Sequence, residues 1–293
     1  MPVAVKIVEC PRDAWQALPV QIPTEAKAAW LRRLIEAGFT HIDAVSFVSP
    51  AAVPQMADSE RVLELLGPAP GVEILGIVVN AKGADRAIRT GAVGALGYPY
   101  SISPEFLRRN QNQSPEESLA VLRDLAALAR AASLEIVAYL SMAFGNPYGE
   151  PWSQAAVGEA CGRLADAGIR QISLADTVGV AIPPQIAEVV SSVSAAYPEV
   201  EFGVHLHARR DQAAARILAA YDAGCRRFDS AVGGLGGCPF AQDALVGNIP
   251  TEVLLSTLSE RGVALPAIEM TGPLLETGAE ITGSASLHQG RSR

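Results

Sequence analysis

The chain has 293 residues, 49% of them hydrophobic and 5% aromatic, and it carries a formal net charge of −8. A parallel (β/α)8 barrel typically needs about 250 residues, so one such barrel with a short extension accounts for this length. The acidic balance and the lack of a lysine or arginine block argue against nucleic-acid binding, and no apolar run approaches the ~18 residues of a membrane span.

The cysteines are scattered and form no C-x-x-C pair: Cys10, Cys161, Cys225 and Cys238. This pattern argues against a disulfide framework and a zinc knuckle, and it is typical of a reducing cytoplasm. The N-terminal apolar run is short and is broken by Glu9, unlike a signal peptide. We therefore expect a cytoplasmic protein without membrane or nucleic-acid partners, assembled as a homodimer or higher homo-oligomer.

Short apolar runs alternate with longer amphipathic segments along the chain. Eight runs are predicted as strands: Val3–Val8, His41–Val45, Glu73–Val79, Val93–Tyr98, Glu135–Ser141, Gln171–Leu174, Glu201–Leu206 and Arg226–Asp229. Stretches with helical spacing lie between them, among them Glu25–Ala37, Pro115–Ala132, Ala155–Ala167 and Gln212–Ala223. This alternation predicts a parallel sheet.

An Ala-Gly pair precedes three of the predicted strands, at Ala37-Gly38, Ala167-Gly168 and Ala223-Gly224. Glycine can adopt the left-handed conformation that ends a helix, so each pair is predicted as a helix C-terminus. A doubly wound open sheet is the main alternative architecture. The count of eight strands and the lack of G-x-G-x-x-G after the first strand favour a closed (β/α)8 TIM barrel.

The pattern changes after the eighth predicted strand. Helices are predicted at Glu252–Glu260 and around Pro273–Glu280. We expect a single barrel domain with a short C-terminal helical extension over residues 1–283. Residues 284–293, rich in serine, glycine and arginine, are predicted to be a disordered tail.

Polar residues follow several predicted strands, and in a closed parallel barrel the reactive groups collect at these carboxyl ends. They are Glu9, Arg12, Asp13 and Gln16 after the first strand, Asp43 in the second, Asp176 and Thr177 after the sixth, His205 and His207 on the seventh, and Cys238 and Asn248 after the eighth. The sequence therefore predicts a site at this rim. Asp176 is either catalytic, placed behind the reacting groups, or a hydrogen-bonding residue of the rim, and the position behind the reacting groups is favoured.

His205 and His207 are two apart on a strand, so both imidazoles point to one face and can converge on one ion. Two hydrogen-bonded histidines in a barrel mouth are the alternative. Closure of the barrel brings Asp13 round to their side. Two imidazoles with oxygen ligands and no thiolate favour Mg2+ or Mn2+ over structural zinc, with Zn2+ as the remaining candidate.

Arg12 and Asp13 alone are compatible with an ordinary salt-bridged turn, but beside the histidines Arg12 becomes a fixed cation facing a developing oxyanion.

Cys238 lies in a loop containing Gly233, Gly234, Gly236, Gly237 and Gly247. Such a loop is either a flexible connection with an incidental thiol or a segment that closes over a site, with cysteine as a general acid.

Together these motifs resemble the 3-hydroxy-3-methylglutaryl-CoA lyase family from roughly Val5 to Glu260. The family's R-D-G-L-Q corresponds to Arg12–Gln16, S-F-V-S-P-x-x-V-P-Q-M to Ser46–Met56, V-H-x-H to Val204–His207, and G-L-G-G-C-P-[YF]-A to Gly234–Ala241, followed by Gly247-Asn248. The last motif is the most specific, because the condensing synthases of the wider group carry a different glycine loop.

The resemblance implies retro-Claisen cleavage of 3-hydroxy-3-methylglutaryl-CoA, or a related 3-hydroxyacyl-CoA, to acetyl-CoA and a keto acid such as acetoacetate. The implied ligands of the divalent cation are Asp13, His205, His207 and Asn248. The implied catalytic residues are Arg12, Asp43, His205 and Cys238. Arg12 would stabilise the enolate oxygen, and Cys238 would help to deliver the proton that quenches the enolate.

Three positions depart from the family pattern. Asp43 stands where the family usually has glutamate, so its carboxylate is withdrawn by ~1.5 Å, a shift large enough to cost activity. Ala208-Arg209 replaces the family's D-T, and Trp15 is a bulky residue expected close to the site. These departures predict an altered substrate pocket.

Two other functions fit parts of the pattern. One is a condensing acyltransferase that joins acetyl-CoA to a 2-oxo acid, which the G-L-G-G-C-P loop and the lack of a long C-terminal regulatory domain argue against. The other is a degenerate barrel that binds a metal or CoA without turnover. Asp43 and Ala208 support it, whereas the retained ligands and Cys238 oppose it.

Overall fold

Eight parallel strands hydrogen-bond in sequence order and close into a barrel in the computed structural model, which describes residues 5–16, 18–236, 246–281 and 283. The strands are β1 (Lys6–Glu9), β2 (His41–Ser46), β3 (Glu73–Ile77), β4 (Ala95–Ser101), β5 (Glu135–Ser141), β6 (Gln171–Asp176), β7 (Glu201–Leu206) and β8 (Arg227–Ser230). Pairing of β1 with β8, from Lys6 opposite Arg227 to Glu9 opposite Ser230, closes the sheet and excludes the open alternative. The predicted (β/α)8 barrel is confirmed.

Helices connect the strands and surround the barrel. They are α1 (Pro11–Gln16), α2 (Thr24–Glu36), α3 (Ser59–Leu66), α4 (Ala81–Arg89), α5 (Pro104–Gln111), α6 (Pro115–Ala131), α7 (Gln154–Asp166), α8 (Pro183–Ala196), α9 (Arg210–Asp222), α10 (Thr251–Glu260) and α11 (Gly272–Ile281). No described helix combines the length and apolar character needed to cross a bilayer.

The predicted strands agree with the observed ones apart from their ends. The largest difference is β4, predicted to end at Tyr98 but extending through Pro99 to Ser101. Pro99 cannot donate a ladder hydrogen bond, yet it keeps register opposite Tyr139, and its carbonyl accepts from the side chain of Gln111. The first predicted strand began within residues 1–4, which lie outside the described residues.

Three glycines end helices as predicted. Gly38, Gly168 and Gly224 have φ angles of 98°, 86° and 104°, in the range that L side chains rarely adopt. Gly38 has a second constraint, because a Cβ there would lie 2.2 Å from the carbonyl oxygen of Ala267. The segment that leads to α11 therefore passes directly over the end of α2.

The barrel interior is chemically divided. An apolar cluster lies on the β3–β5 side and consists of Leu75, Ile77, Ala95, Val137 and Tyr139. Across the interior, β2 and β6–β8 carry buried polar side chains, namely Asp43, Ser173, His205, Arg227 and Asp229. Because buried charges must be paired or must bind a cation or substrate, this polar half positions the candidate site.

Candidate active site

A cavity of about 150 Å3 opens at the carboxyl ends of the strands. One wall is polar and contains Arg12, Asp13, His205 and His207. The facing wall is mainly apolar and contains Val48, Val53, Ile77, Val79, Pro99 and Phe106. A small substrate would therefore meet charged groups on one side and an apolar surface on the other.

The structure brings Asp13, His205 and His207 together. Asp13 lies in α1 directly after β1, His205 is on β7, and His207 follows one residue beyond that strand. One ligand atom from each of the three residues lies within 4.8 Å of the other two, and all three side chains are buried. Nε2 of His205 is 3.8 Å from Oδ2 of Asp13. This spacing suits convergence on one cation.

Asn248 completes this group from the opposite end of the chain. Its Nδ2 donates to Asp13 Oδ2 at 2.8 Å and to the carbonyl of Leu235 at 2.8 Å. Its Oδ1 is buried and accepts no hydrogen bond from any described residue. A buried acceptor without a partner costs about 1–3 kcal/mol, and an amide oxygen is a ligand for hard cations. The four side chains therefore fit a divalent cation.

Hydrogen bonds fix the tautomer of both histidines. Nδ1 of His207 lies 2.8 Å from the carbonyl oxygen of Val246, and Nδ1 of His205 lies 3.3 Å from Oδ2 of Asp229. Carbonyl and carboxylate oxygens only accept, so each Nδ1 carries the hydrogen. In the neutral form of each ring, Nε2 keeps the lone pair that a metal ligand requires. Burial disfavours the charged form of His205, but Asp229 and Asp13 outweigh it and raise the pKa of this residue.

The charges of the group also suit a cation. Burial favours the neutral acid at Asp13, but Arg12, His205, His207 and the hydrogen bond from Asn248 outweigh it and lower the pKa of Asp13 to about 2. Burial, followed by the neighbouring His205, lowers the pKa of His207 to about 4. At neutral pH, Asp13 is ionised and His207 is neutral, and ligands in these states need release no proton to bind a metal.

Arg12 is held in place by three side chains. Its Nε donates to Asp43 Oδ1 at 3.0 Å, and its Nη2 donates to Asp43 Oδ2. Its Nη1 donates to Asp13 Oδ1 at 3.0 Å and to Gln16 Oε1 at 3.1 Å. Burial disfavours the cation, but Asp43 and Asp13 outweigh it and raise the pKa of Arg12. Arg12 is a permanent, oriented positive charge in the cavity wall.

Asp43 lies behind Arg12 and does not line the cavity. Its side chain is 0% exposed, and both its oxygens accept from the guanidinium. The expected loss of contact from its shorter side chain therefore does not occur at Arg12. The structure gives Asp43 a position from which it orients Arg12, with no access to a molecule in the cavity.

Sequence reasoning missed Arg216, which supports His207 from α9. Its Nη1 donates to the carbonyl of His207 at 2.6 Å and to Asp176 Oδ2 at 3.2 Å. Asp176 also accepts the backbone N–H groups of Val180 and Ala181, and it lies behind the cavity wall as expected. One signal was available, since Arg216 lies on the buried stripe of α9 beside Ile217, where arginine is rare.

Two of the residues highlighted near the rim lie elsewhere. Glu9 faces the outside of the barrel, where its carboxyl accepts from the N–H of Val232 and the hydroxyl of Thr251, and burial raises its pKa to about 8. Trp15 lines a second, smaller cavity with Trp30 and residues of α11. The expectation that Trp15 alters the substrate pocket is wrong, because helix α1 turns this side chain away from the mouth.

Ala208 also lies away from the cavity at the carboxyl ends of the strands. Its side chain is buried outside that cavity, and its N–H donates to the carbonyl of Gly247 at 2.9 Å. Cys238 lies outside the described residues. Gly236, two positions before it, has a φ of 104°, and a Cβ there would be 2.5 Å from Nδ2 of Asn248. The glycine loop therefore begins in direct contact with the candidate ligands.

The rim of the closed barrel gathers imidazole, carboxylate and amide groups, as the carboxyl ends of the strands do in barrel enzymes. The chain matches the HMGL-like family over residues 4–274 and belongs to it, which confirms the family expected from the sequence motifs.

Particular relatives are lyases by name. A mitochondrial hydroxymethylglutaryl-CoA lyase from Mus musculus is 39% identical over 266 residues, 90% of this chain and 81% of that protein. A cytoplasmic 3-hydroxy-3-methylglutaryl-CoA lyase from Homo sapiens is 37% identical over 90% of this chain and 71% of that protein. The structure of an HMG-CoA lyase from Acinetobacter baumannii in complex with coenzyme A and 3-methylmalate has a TM-score of 0.86 and 32% identity, covering 98% of this chain and 92% of that chain.

Proposed function

We propose that this protein is a divalent-cation-dependent carbon–carbon lyase. Its substrate is 3-hydroxy-3-methylglutaryl-CoA or a closely related 3-hydroxyacyl-CoA, and its products are acetyl-CoA and a keto acid such as acetoacetate. The observation that carries the proposal is the convergence of Asp13, His205, His207 and the unpartnered Oδ1 of Asn248 beside the fixed cation of Arg12. The family membership and the lyases among its relatives support the same reaction.

The four converging side chains are the proposed cation ligands. When bound, a divalent cation supplies Lewis-acid polarisation of the substrate hydroxyl and carboxylate. Two imidazoles with two oxygen ligands favour Mg2+ or Mn2+, with Zn2+ as the alternative. His205 then acts as a ligand and not as the proton acceptor, because its Nδ1 donates to Asp229 and its Nε2 is needed for the cation.

Arg12 is the proposed stabiliser of the negative charge. Transfer of the hydroxyl proton to a water molecule in the cavity allows the bond between the carbinol carbon and the thioester α-carbon to break. The hydroxyl oxygen becomes the carbonyl of the keto product, and the bonding electrons form the enolate of acetyl-CoA. Arg12 does not have to reorganise as this charge develops, because Asp43 and Gln16 already orient it.

Cys238 is the proposed donor of the proton that converts the enolate into acetyl-CoA. Gly236, which precedes it, packs against Asn248 and α1, so the loop starts at the rim where the enolate would form. The apolar wall around Phe106 and Ile77 suits the substrate methyl group and limits access of water to the enolate.

The test is acetyl-CoA release by the purified protein after removal of metals and addition of Mg2+, Mn2+ or Zn2+ in turn. We expect release from 3-hydroxy-3-methylglutaryl-CoA with Mg2+ or Mn2+ and none in EDTA. Cys238→Ala is expected to suppress turnover, whereas Cys161→Ala, which removes a buried thiol from α7, is the matched control. No release from a panel of 3-hydroxyacyl-CoA thioesters would contradict the proposal.

The same preparation separates the other functions. Thiol release from acetyl-CoA with 2-oxo acids would indicate the condensing acyltransferase, and metal binding without either reaction would indicate a non-catalytic barrel.

We also propose a single domain over residues 1–283, a cytoplasmic location and a homo-oligomer. Light scattering of the purified protein tests the assembly, and fractionation of its source cells tests the location.

A further inference from the structure

An ion pair lies inside the barrel beneath the candidate ligands. Arg227 and Asp229 are two residues apart on β8, and both side chains point inward. Arg227 is only 1% exposed, and its Nη2 lies 3.6 Å from Asp229 Oδ1. Neither residue lines the cavity, and neither belongs to the proposed ligand set or the proposed catalytic groups.

The neighbouring strand leaves space for this arginine. Gly203 on β7 is the register partner of Arg227, and a Cβ at Gly203 would lie 2.8 Å from Cγ of Arg227. Any larger residue at position 203 would collide with the arginine stem. The two positions therefore form a matched pair that directs a long cationic side chain through the middle of the barrel.

Asp229 links this arginine to a candidate ligand. Its Oδ2 accepts from the hydroxyl of Ser173 at 2.9 Å and from Nδ1 of His205 at 3.3 Å. Its Oδ1 faces Arg227 and accepts no hydrogen bond. The two oxygens of one carboxylate are thus divided between the proposed metal ligand and the buried cation.

Unpartnered polar atoms surround this pair. Among the described residues, the buried side-chain atoms without a hydrogen bond are Arg227 Nε and Nη1, Asp229 Oδ1, Tyr139 Oη and Asn248 Oδ1. The first four belong to three interacting residues, because Tyr139 is also an electrostatic neighbour of both Arg227 and Asp229. Buried polar atoms of this kind are usually satisfied by interior water.

We propose that Arg227 is a positioning residue for His205. Together with interior water bridging it to Asp229 and Tyr139, it holds the Asp229 carboxylate so that Oδ2 receives the Nδ1 hydrogen of His205. This contact fixes the ring orientation and directs Nε2 toward Asp13. The inference rests on the proposed function, because it assigns Arg227 the task of orienting a ligand of the proposed cation site. Support of this kind behind a ligand typically affects metal affinity by about 10–100-fold.

Arg227→Met tests this assignment, with Arg226→Met as the matched control. The adjacent Arg226 is half-buried on the outer face, where it stacks on Tyr221 and donates to backbone carbonyls. The first readout is the Mn2+ dissociation constant, measured from the electron paramagnetic resonance signal of free Mn2+. We expect Arg227→Met to weaken Mn2+ binding by about 10–100-fold and Arg226→Met to leave it unchanged. Arg227→Lys, which keeps the cation, is expected to retain more affinity than Arg227→Met.

The second readout needs no metal. In long-range 1H–15N spectra of the metal-free protein, recorded at a pH at which the His205 ring is neutral, His205 is expected to show only the Nδ1–H tautomer, and Arg227→Met is expected to show a tautomer mixture. A double-mutant cycle completes the test. If Arg227 acts through Asp229, the double variant Arg227→Met/Asp229→Asn binds Mn2+ no more weakly than Asp229→Asn alone. Additive losses would overturn the inference.

The wild-type protein separates this inference from the proposed function. A wild-type protein that neither binds Mn2+ nor releases acetyl-CoA would contradict the proposed function itself. A wild-type protein that does both, alongside a folded Arg227→Met variant with wild-type Mn2+ affinity and an unchanged His205 tautomer, would overturn the inference alone. If Arg227→Met does not fold, Arg227→Gln, which also removes the cation but keeps hydrogen-bonding groups, decides, and an unchanged Mn2+ affinity and His205 spectrum there also overturn it.

Discussion

Lengthening Asp43 by one methylene is expected to harm this protein, even though the lyase family it resembles usually has glutamate there. The Asp43 carboxylate already makes a two-pronged contact with Arg12, and its side chain is fully enclosed. An added methylene must displace either Arg12 or the surrounding core. Overpacking of this kind costs about 1–3 kcal/mol. With a melting-temperature change of about 2–4 °C per kcal/mol in larger domains, the expected decrease is roughly 2–12 °C.

The same geometry predicts the effect on catalysis. The Arg12 guanidinium must keep its position in the cavity wall, because a displacement of about 1 Å can lower the rate by ~100-fold. Asp43→Glu is therefore expected to lower kcat/KM for the thioester. Asp43→Asn, which removes the charge without adding volume, is expected to destabilise the fold by about 3–5 kcal/mol, the usual effect of breaking a buried ion pair.

Calorimetry and acetyl-CoA release from each variant measure these two quantities. Asp85→Glu makes the same chemical change on the exposed surface of α4 and is expected to alter neither. The reasoning is refuted if Asp43→Glu raises kcat/KM tenfold without lowering the melting temperature. That result would mean that the carboxylate needs to reach further into the site than it does here.

Three further outcomes are expected. Asn248→Ala, which removes the unpartnered Oδ1, should weaken Mn2+ binding by about 10–100-fold in the resonance titration, and unchanged affinity would remove this residue from the ligand set. Arg216→Met leaves the His207 carbonyl and Asp176 without their cation, so the free energy of unfolding measured in urea should fall by about 2–4 kcal/mol. A fall below about 0.5 kcal/mol would refute this role of Arg216. Folding raises the pKa of Glu9 from 4.5 to about 8, so the free energy of unfolding of the wild-type protein should fall as the pH rises from 4.5 toward 8. Glu9→Gln should show a flatter dependence on pH in the same denaturation series.

The barrel was predictable because its signals are local and repeated. Strand-length apolar runs, helical spacing and glycines such as Gly38 each follow from a few neighbouring residues. The proximity of Asp13 and His205 was predictable for a different reason. Once a parallel sheet closes, strand order alone determines which carboxyl ends adjoin.

Side-chain direction was not predictable from these signals. Trp15 follows Asp13 by only two positions, yet the turn of α1 sends one side chain to the cavity and the other to the outer layer. Arg216 reaches His207 across an interface between a helix and a strand end. Arg227 needs the empty space at Gly203, 24 positions earlier in the chain. Such relations depend on packing between distant segments, which no local pattern records.

The pairing of β1 with β8 means that the cation site at the rim can form only after β8 has been synthesised. Asp13 is synthesised 235 residues before Asn248. A nascent chain arrested before the eighth strand holds three of the four proposed ligands, and its first strand can pair only with β2. Tight uptake of a cation should therefore mark the moment at which the cylinder is complete, and early folding must proceed without help from the ion.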